Sequence, residues 1–459
     1  MMNKLRYVLA FVTAKLSVIA LRLTGHPATN LPGELALRIC PDFLGRIPKP
    51  ARIIGVTGTN GKTTLTNLLC DLLGQTGEKV VSNRYGSNLA SGIVTALLSG
   101  CSPLGRQRAS VGVIEIDERS APRVFPRMTP QLLVITNLFR DSIMRNAHPA
   151  YIADLLGRYI PPSVKLLVNA DDLISCRVAP QCSREYFGIG PMPGDTVECV
   201  NLINDMRICP ICHGTLRYDY RRYHHIGRAV CSSCGFASPE YDYAGSEVDF
   251  DKMTMRISDS GGSAVYGLLN DSVFNCYNLL CAVAVMRSLG FEHERIALLA
   301  SRCSIVATRH DSKRVGDVTL VMQMAKEKNA LACSRAFDYV SGREGEKEIV
   351  LMMNCLGDVK HWSENESWLY DCDFEFLNRP GIRCIVATGA RALDYRLRLL
   401  LAGVPEEKII CVEDEMEAVS RLPFVKGDQV YLFYGTDSLV FAQKVRARIE
   451  ALAKEAAGK

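Results

Sequence analysis

Neither sign of charge dominates this chain. Lys plus Arg number 54 and Asp plus Glu number 49, and no long Lys/Arg run is present. An arm or patch for nucleic acid is therefore not predicted, whereas a mild positive balance suits small ligands that carry phosphate. Internal repeats and low-complexity tracts are also missing. For 459 residues, this leaves about three ordinary globular units of roughly 150 residues each.

The chain also lacks an uninterrupted hydrophobic segment at its start. The run from Tyr7 to Leu23 is apolar, but Lys15 interrupts it, and Arg22 and His26 follow it without a small-residue cleavage pattern. An export signal or a membrane anchor is thus disfavoured. We expect a helix that packs on the first domain.

A disulfide framework is not indicated, although there are 18 cysteines. Most of them stand singly inside apolar stretches, as Cys70, Cys281, Cys303 and Cys384 do. Buried free thiols of this kind are typical of a reducing compartment, so a cytoplasmic location is expected.

Short apolar runs separated by helical stretches predict a parallel sheet covered on both faces. The first series of strand candidates is 52–56, 80–81, 111–114, 132–135 and 166–168; the second is 318–322, 349–353, 382–386, 409–412 and 430–433. The alternation breaks between about 190 and 265. We expect an N-terminal helical segment at 1–50, a central α/β domain at 51–305 with an insertion at about 200–240, and a smaller Rossmann-like α/β domain at 306–459.

One glycine-rich stretch combines the features of a phosphate-binding loop. Gly55-Val56-Thr57-Gly58-Thr59-Asn60-Gly61-Lys62-Thr63-Thr64 follows a strand candidate and precedes an apolar helix. Backbone N–H groups of such a loop hold phosphates, Lys62 neutralises their charge and Thr63 binds magnesium. A strict Walker pattern has glycine five residues before Gly61, where this chain has Val56, so the loop is a variant.

Four cysteines have the spacing of a zinc ribbon. Cys209 and Cys212 form one pair, and Cys231 and Cys234 form another, with eighteen residues between the pairs. Four thiolates fill a tetrahedral site and leave no position for substrate, so the metal is expected to be structural. A redox dithiol is the alternative function, iron is the alternative metal, and the nearby His213, His224 and His225 are surplus candidates.

The loop Gly-Thr-Asn-Gly-Lys-Thr-Thr resembles that of the Mur ligases and folylpolyglutamate synthetases, which activate a carboxylate as an acyl phosphate. Glu115, in Glu-Ile-Asp-Glu after a strand, matches the magnesium-binding glutamate of that family. Asn278 matches the asparagine that contacts adenine, and Arg309 matches the linker arginine beside the nucleotide, with an ordinary surface charge as its alternative. The resemblance implies a Mur-ligase-type fold that uses ATP and Mg²⁺.

Further motifs are similar to those of the MurT-type synthetase subunits within that family. They are Leu31-Pro32-Gly33, the segment 136–141, the cysteine insertion and the acidic string 368–375. This resemblance implies amidation of the D-glutamate α-carboxylate in the stem peptide of lipid II. It also implies a GatD-type glutaminase as partner in a heterodimer, and membrane contact through the lipid-linked substrate.

The source of nitrogen and the catalytic base are the weakest parts of the resemblance. No cysteine has the Gly-x-Cys-x-Gly elbow of a glutaminase, and Cys355 comes nearest, so ammonia must be free or supplied by a partner. Asn365 stands where the family has an aspartate. Since an amide is not a base, we expect Asp358, Glu364 or Glu366 to serve instead.

Two other functions stay open on the sequence alone. One is a Mur or folate-type ligase that adds an amino acid, which the short N-terminal segment and the cysteine insertion disfavour. The other is a degenerate MurT-like protein that binds nucleotide and a partner without catalysis, which Asn365 and Met144 keep open.

Asp371, Asp373 and Glu375 match the family or, alternatively, form one exposed strand face.

Overall fold

A computed structural model describes residues 2–140, 148–303, 310–325, 327, 329–354, 366–435 and 438–458. The chain divides into two compact units. The first comprises Met1–Leu138, His148–Val200 and Asn204–Ile305, and the second comprises Phe139–Ala147, Asn201–Ile203 and Val306–Lys459. Each unit has its own sheet and its own hydrophobic core.

The described part of the first unit contains nine helices and eleven strands. Its helices are α1 (Met2–Leu23), α2 (Leu31–Ile39), α3 (Phe43–Arg46), α4 (Lys62–Gln75), α5 (Ala90–Gly100), α6 (Ala121–Val124), α7 (Pro149–Tyr159), α8 (Val273–Ser288) and α9 (His293–Ala300). Its strands are β1 (Arg52–Thr57), β2 (Val80–Ser82), β3 (Val111–Glu115), β4 (Leu132–Ile135), β5 (Lys165–Asn169), β6 (Arg184–Ile189), β7 (Leu216–Tyr223), β8 (Ile226–Cys231), β9 (Tyr243–Asp249), β10 (Thr254–Asp259) and β11 (Gly262–Gly267).

Nine of these strands form one sheet in the order β11-β10-β9-β6-β5-β4-β1-β3-β2. Strands β1 to β6 and β9 pair in parallel, and β9, β10 and β11 extend the sheet as an antiparallel meander. Every residue of β3 and β4 is buried, so both faces of the sheet are covered. The five strands predicted from the first apolar series are therefore confirmed.

Strand register brings four loops to one edge of the sheet. Val56 pairs with Glu115, Thr57 pairs with Ile135, and Ile135 pairs with Val168. Because the strands are parallel and end at nearly the same level, the loops that follow β1, β3, β4 and β5 meet at the carboxyl edge. This is the edge where open α/β sheets bind ligands.

Helix α1 packs against the first unit on one side. Ala10, Phe11 and Ala14 are buried, and the ring of Tyr7 stacks on Phe43 with centroids 5.1 Å apart. Within the described residues, no helix combines the length and the apolar character that crossing a bilayer requires.

Lys15, which interrupts the apolar run of α1, contributes to the same packing. Its Nζ donates hydrogen bonds of 2.6 Å to the carbonyl oxygens of Leu98 and Cys101. These carbonyls lie at the C-terminal end of α5, where an α-helix has no further N–H donors of its own. The charge therefore fixes α1 to α5 rather than facing open solvent.

The cysteine insertion forms a separate hairpin of β7 and β8, which is anchored to the sheet by buried charges. Arg222, whose side chain is 2% exposed, lies 3.3 Å from Asp171 and 3.0 Å from Asp195. Tyr277 of α8 donates to the same Asp171 oxygen at 2.5 Å. One carboxylate thus joins the hairpin, the end of β5 and α8.

A second buried carboxylate makes a parallel connection. Asp172 accepts the N–H of Leu138 at 2.7 Å, the hydroxyl of Ser175 at 2.5 Å and the Nε2 proton of His225 at 3.1 Å. Burial raises the pKa of Asp172, but the hydrogen bonds from His225 and Ser175 outweigh it, so that the pKa is lowered. The carboxylate is therefore charged and fully paired in the folded protein.

The second unit carries a six-stranded sheet in the order β12-β13-β17-β14-β15-β16. Its strands are β12 (His310–Val315), β13 (Val318–Met324), β14 (Lys347–Met352), β15 (Ile382–Ala387), β16 (Ile409–Cys411) and β17 (Gln429–Tyr434). Its helices are α10 (Ala330–Ser341), α11 (Trp368–Asp371), α12 (Ala392–Leu401), α13 (Glu415–Ala418) and α14 (Leu439–Ala457). Only β12 runs antiparallel to its neighbour among these strands.

Alternate residues of β14 belong to two different cores. Ile349 and Leu351 pack in one core, and Val350 and Met352 pack in the other. Because successive side chains of a strand point to opposite faces, both faces of this sheet are covered. All five strands of the second predicted series are present, and the fold class is confirmed as a P-loop-type α/β domain with a cysteine-bearing insertion and a second α/β domain.

The anchoring of the hairpin can be tested through stability. We expect Asp172→Ala to lower the free energy of unfolding by about 3 to 5 kcal/mol, since removing one partner of a buried pair leaves the other unpaired. Urea unfolding followed by circular dichroism measures this change. The matched control is Asp249→Ala, because Asp249 forms a 2.7 Å ion pair with Lys252 on the surface. Equal effects of the two substitutions would contradict the anchoring role.

Candidate functional site

The glycine-rich loop joins β1 to α4, and two of its glycines have a left-handed backbone. Gly58 has φ +127° and Gly61 has φ +89°. A Cβ at Gly58 would lie 2.2 Å from Thr136 Oγ1, and one at Gly61 would lie 2.6 Å from Asn278 Oδ1. Both conformation and space therefore require glycine. The loop backbone approaches the end of β4 and helix α8 this closely only because side chains are absent.

The residues that follow β4 hold the loop in shape. Asn137 Oδ1 accepts the N–H of Asn60 at 3.0 Å, and the Asn137 carbonyl accepts the N–H of Thr59 at 2.7 Å. Thr136 Oγ1 donates to the Asn60 carbonyl at 2.7 Å. The loop is therefore preorganised by protein contacts. Thr136 and Asn137 begin the segment 136–141 that resembles the MurT-type subunits, but the sequence gave no indication of this role.

Lys62 meets a carboxylate that the sequence analysis did not single out. Its Nζ lies 2.8 Å from Glu118 Oε1, and it also donates to the Gly58 carbonyl. The same Glu118 oxygen accepts the N–H of Gly58 at 2.9 Å. Burial raises the pKa of Glu118, and the charge of Lys62 only partly offsets it. A carboxylate thus occupies the position at which Lys62 and the Gly58 N–H would bind a phosphate.

Thr63 and Glu115 provide two adjacent oxygen atoms. Thr63 Oγ1 donates to Glu115 Oε2 at 2.9 Å, and Asn88 Nδ2 donates to the other Glu115 oxygen at 3.1 Å. Asn83 fixes the backbone of Glu115 through two hydrogen bonds of 2.8 and 2.9 Å. A hydroxyl and a carboxylate side by side suit a hard cation such as Mg²⁺. Thr64 follows in the first turn of α4.

A small pocket with aromatic walls lies beside the loop. It is lined by Gly61, Asn137, Phe187, Tyr223, Phe274 and Asn278. The rings of Tyr223 and Phe274 lie 5.0 Å apart between centroids. Asn278 Nδ2 donates to Asn275 Oδ1 at 3.1 Å. Asn278 therefore lies beside the glycine-rich loop. Arg309 lies outside the described residues.

The four cysteines of the insertion come together. Their Sγ atoms all lie within 4.8 Å of one another, with Cys209 and Cys234 at 3.6 Å and Cys212 and Cys231 at 3.4 Å. Zn–S bonds of about 2.3 Å in a tetrahedron put sulfur atoms about 3.8 Å apart, so the quartet fits such a site. In the described chain, no other group of at least three His, Cys, Asp or Glu side chains converges in this way.

Local backbone geometry explains how the pairs form knuckles. The N–H of Ile211 points at Cys209 Sγ, and the N–H of Ser233 points at Cys231 Sγ, each at 3.4 Å. The residues after the second cysteines have positive φ, 62° at His213 and 74° at Gly235. Such N–H···S contacts stabilise thiolates.

The histidines near the quartet are not part of it. His225 is bound to Asp172 instead, and His224 is buried. Among the described residues, the converging group therefore consists of the four cysteines alone. No histidine belongs to it.

In the second unit, the candidate base Glu366 follows strand β14. Its carboxylate accepts the indole N–H of Trp368 at 2.7 Å and lies 3.8 Å from the guanidinium of Arg391. The other candidates, Asp358 and Glu364, lie outside the described residues, as do Met144, Cys355 and Asn365.

The acidic string of the second unit does not form one exposed strand face. Asp371 lies 3.4 Å from Arg140, Glu375 lies 2.7 Å from Arg398, and Asp373 is buried. The segment consists of the short helix α11 and a 3-10 turn. The strand-face alternative was wrong because this segment forms helical turns, which point the three acids to different partners.

Comparisons with known proteins agree with this geometry. The family model described as MurT ligase C-terminal matches residues 327–436. The lipid II isoglutaminyl synthase (glutamine-hydrolyzing) subunit MurT of Staphylococcus aureus (strain COL) is 32% identical over 418 residues, covering 90% of this chain and 92% of the relative. The subunit of the same name from Streptococcus pneumoniae (strain ATCC BAA-255 / R6) is 29% identical, covering 88% and 89%.

Solved structures support the fold. A pseudomurein peptide ligase type C from Methanothermus fervidus has a TM-score of 0.64 at 20% identity, covering 89% of this chain and 81% of that one. MurF ligase from Thermotoga maritima in complex with ADP has a TM-score of 0.55 at 14% identity, covering 93% and 84%. Identity this low shows only that the chain has the fold of these ligases. The match to the staphylococcal subunit extends over nearly its whole length, and on that ground the chain belongs to the MurT family.

Proposed function

We propose that this chain is the ATP-dependent synthetase subunit of a glutamine-hydrolysing amidotransferase. It converts the α-carboxylate of D-glutamate in the stem peptide of lipid II to the amide of D-isoglutamine. The observation that carries this proposal is the agreement of nearly full-length similarity to MurT subunits with an assembled phosphate-type loop. A cytoplasmic location fits, because ATP and the lipid-linked precursor are both available there.

The reaction needs activation because a carboxylate is a poor electrophile towards ammonia. A carboxylate oxygen attacks the γ-phosphorus of ATP, ADP leaves, and an acyl phosphate forms. Ammonia then attacks the acyl carbon, and inorganic phosphate leaves with one of the original carboxylate oxygens. Lys62 and the N–H groups of the loop stabilise the charge of the transferring phosphoryl group. Thr63 and Glu115 would hold Mg²⁺, which neutralises charge on the phosphates.

The side chains that line the small pocket beside the loop are proposed to contact the adenine. Aromatic walls from Phe187, Tyr223 and Phe274 offer stacking surface, and Asn278 offers an amide for hydrogen bonding. Arg309 is proposed as a nucleotide-binding residue only by its position in the family motif.

Glu118 must give up its position before ATP can bind. Its carboxylate accepts the Gly58 N–H and pairs with Lys62, which are two groups that a phosphate would use. A phosphate and a carboxylate cannot occupy this anion position together. The Lys62–Glu118 pair therefore opposes nucleotide binding in the empty site and keeps Lys62 neutralised until ATP arrives.

Substitutions at this pair distinguish two roles of Glu118: competing with ATP for the loop, or positioning Lys62. We expect Glu118→Gln to lower the Kd for ATP about tenfold, since a charge-assisted hydrogen bond of about 1.5 to 3 kcal/mol no longer has to be broken. Lys62→Ala should raise that Kd and slow turnover on the order of 10² to 10³. Calorimetric titration with ATP and Mg²⁺ measures the Kd, and Asp117→Asn serves as the neighbouring-charge control. If Glu118→Gln weakens ATP binding as Lys62→Ala does, Glu118 positions the lysine instead.

Ammonia is proposed to come from a separate glutaminase subunit in a heterodimer. The name of the relatives includes glutamine hydrolysis, and this chain lacks the nucleophile elbow that a glutaminase needs.

The base that assists ammonia is proposed to lie between Asp358 and Glu366. Glu366 is the candidate within the described residues, and the indole N–H of Trp368 holds one of its carboxylate oxygens at 2.7 Å.

The nitrogen source and the base can be tested together. The isolated protein should amidate a lipid II-like acceptor with ammonium, and with glutamine only after a glutaminase subunit is added. At saturating ammonium, Glu366→Gln or Asp358→Asn should reduce amide formation about 10² to 10⁴-fold. Product is measured by mass spectrometry.

The matched control for Glu366 is Asp394→Asn. Asp394 also pairs with Arg391, at 3.5 Å, and its substitution should leave the rate unchanged. Wild-type rates in both the Glu366 and Asp358 variants would refute the base assignment. Binding of ATP without any amide from ammonium would favour the degenerate nucleotide-binding protein.

The cysteine quartet is proposed to hold one structural zinc. Cys209, Cys212, Cys231 and Cys234 supply all four positions, so no substrate reaches the metal. The metal would close a hairpin that has only two strands and little core of its own.

Metal analysis tests the zinc site directly. Purified protein should contain about one zinc per chain, and a Cys212→Ser, Cys234→Ser double variant should lose it. Cys199→Ser, just before the insertion and outside the quartet, should retain it. Iron in place of zinc would correct the metal, and full zinc content in the double variant would eliminate the site.

A further inference from the structure

Helix α1 has an apolar face that no part of the described chain covers. Its residues are Leu5, Val8, Leu9, Val12, Leu16, Ile19 and Leu23, with exposed fractions between 47% and 83%; together they are named the α1 stripe. Their spacings of three and four residues place them on one side of the helix. The buried residues Ala10, Phe11 and Ala14 lie on the other side.

A stripe of this size is unusual on a surface that faces only water. Single exposed apolar residues are ordinary, whereas a contiguous row marks an interaction surface. The stripe does not serve the packing of α1, since that is done by Tyr7, Phe11 and Lys15 on other sides of the helix. The α1 stripe is therefore a candidate interaction surface.

The charged residues of helix α1 itself are all basic. Helix α1 contains no Asp or Glu, while Lys4, Arg6 and Arg22 are exposed. The surface is thus apolar along its middle and cationic at its edge.

The loop between α5 and β3 lies next to the buried side of α1 and is also apolar and basic. A Cβ at Gly105 would lie 3.9 Å from the ring of Phe11, so this loop lies beside α1. It exposes Leu104 at 90% and carries Arg106 and Arg108, both exposed. An exposed leucine followed by two arginines has the same combination of apolar and basic side chains as the helix.

We propose that the α1 stripe docks on the surface of an anionic phospholipid bilayer, with the helix lying in the plane of the headgroups. An amphipathic helix with basic edges buries its apolar side at the headgroup boundary and attracts acidic lipids. A second copy of this helix would bring like charges together, which disfavours self-association. The proposal deepens the proposed function, because a lipid-linked acceptor lies at that surface, but lipid binding requires neither ATP nor a glutaminase.

Vesicle sedimentation of the full chain tests the proposal. The wild-type protein should partition into vesicles of phosphatidylcholine and phosphatidylglycerol more strongly than into phosphatidylcholine alone. Leu5→Gln with Leu9→Gln should reduce partitioning into mixed vesicles at least tenfold. Arg6→Gln with Arg22→Gln should reduce it about fivefold for each charge removed.

The matched control is Leu397→Gln with Leu401→Gln. These leucines of α12 are also exposed and four residues apart, at 48% and 63%, and their substitution should leave vesicle binding unchanged. Amidation with ammonium on a soluble, lipid-free acceptor should be equal in the wild type and the stripe variant, so a failed amidation assay leaves vesicle binding as a separate result.

Three results would overturn the proposal. The first is a wild-type protein that does not bind mixed vesicles. The second is a Leu5, Leu9 double variant that binds them as well as the wild type does. The third is a wild-type dimer in sedimentation velocity that the same variant dissociates, because the stripe would then join two copies of the chain.

Discussion

Buried carboxylates at the carboxyl edge of the first sheet organise this protein, because each of them needs a partner. Removing a charge from water is costly unless it is paired and hydrogen-bonded. Glu115 is the last residue of β3 and Glu118 follows it, and Asp171 and Asp172 follow β5. Their partners come from the glycine-rich loop, helix α8 and the cysteine hairpin, so satisfying these four charges also assembles the site.

The partners divide the edge into two parts. Glu115 and Glu118 face the loop, where they meet Thr63 and Lys62. Asp171 and Asp172 face the hairpin, where Arg222 is held between carboxylates. Asp171 also binds Tyr277, the residue next to Asn278 on α8. The same carboxylate therefore contacts both the hairpin and a wall of the pocket beside the loop. A metal that stabilises the hairpin would thereby also stabilise the wall of that pocket.

Features formed by residues close together in sequence could be predicted. Contacts between residues far apart in sequence could not. Strands were visible as apolar runs, and the loop and the quartet were visible because their residues lie close together in sequence. The role of Glu118 was not visible, since Glu115, Asp117 and Glu118 are all acids in one short segment. Only folding shows which one meets Lys62. Likewise, Arg222 and His225 stand among many Tyr and Arg residues, and the carboxylates of Asp171 and Asp172 that they bind lie about fifty residues away.

The central claim is that this chain activates a carboxylate with ATP before nitrogen is added. Oxygen-18 placed in the α-carboxylate of the acceptor tests that claim most directly. If an acyl phosphate forms, the inorganic phosphate released with each amide should carry one oxygen-18 atom, because phosphate leaves with a carboxylate oxygen. Amide formation with unlabelled phosphate would contradict the account.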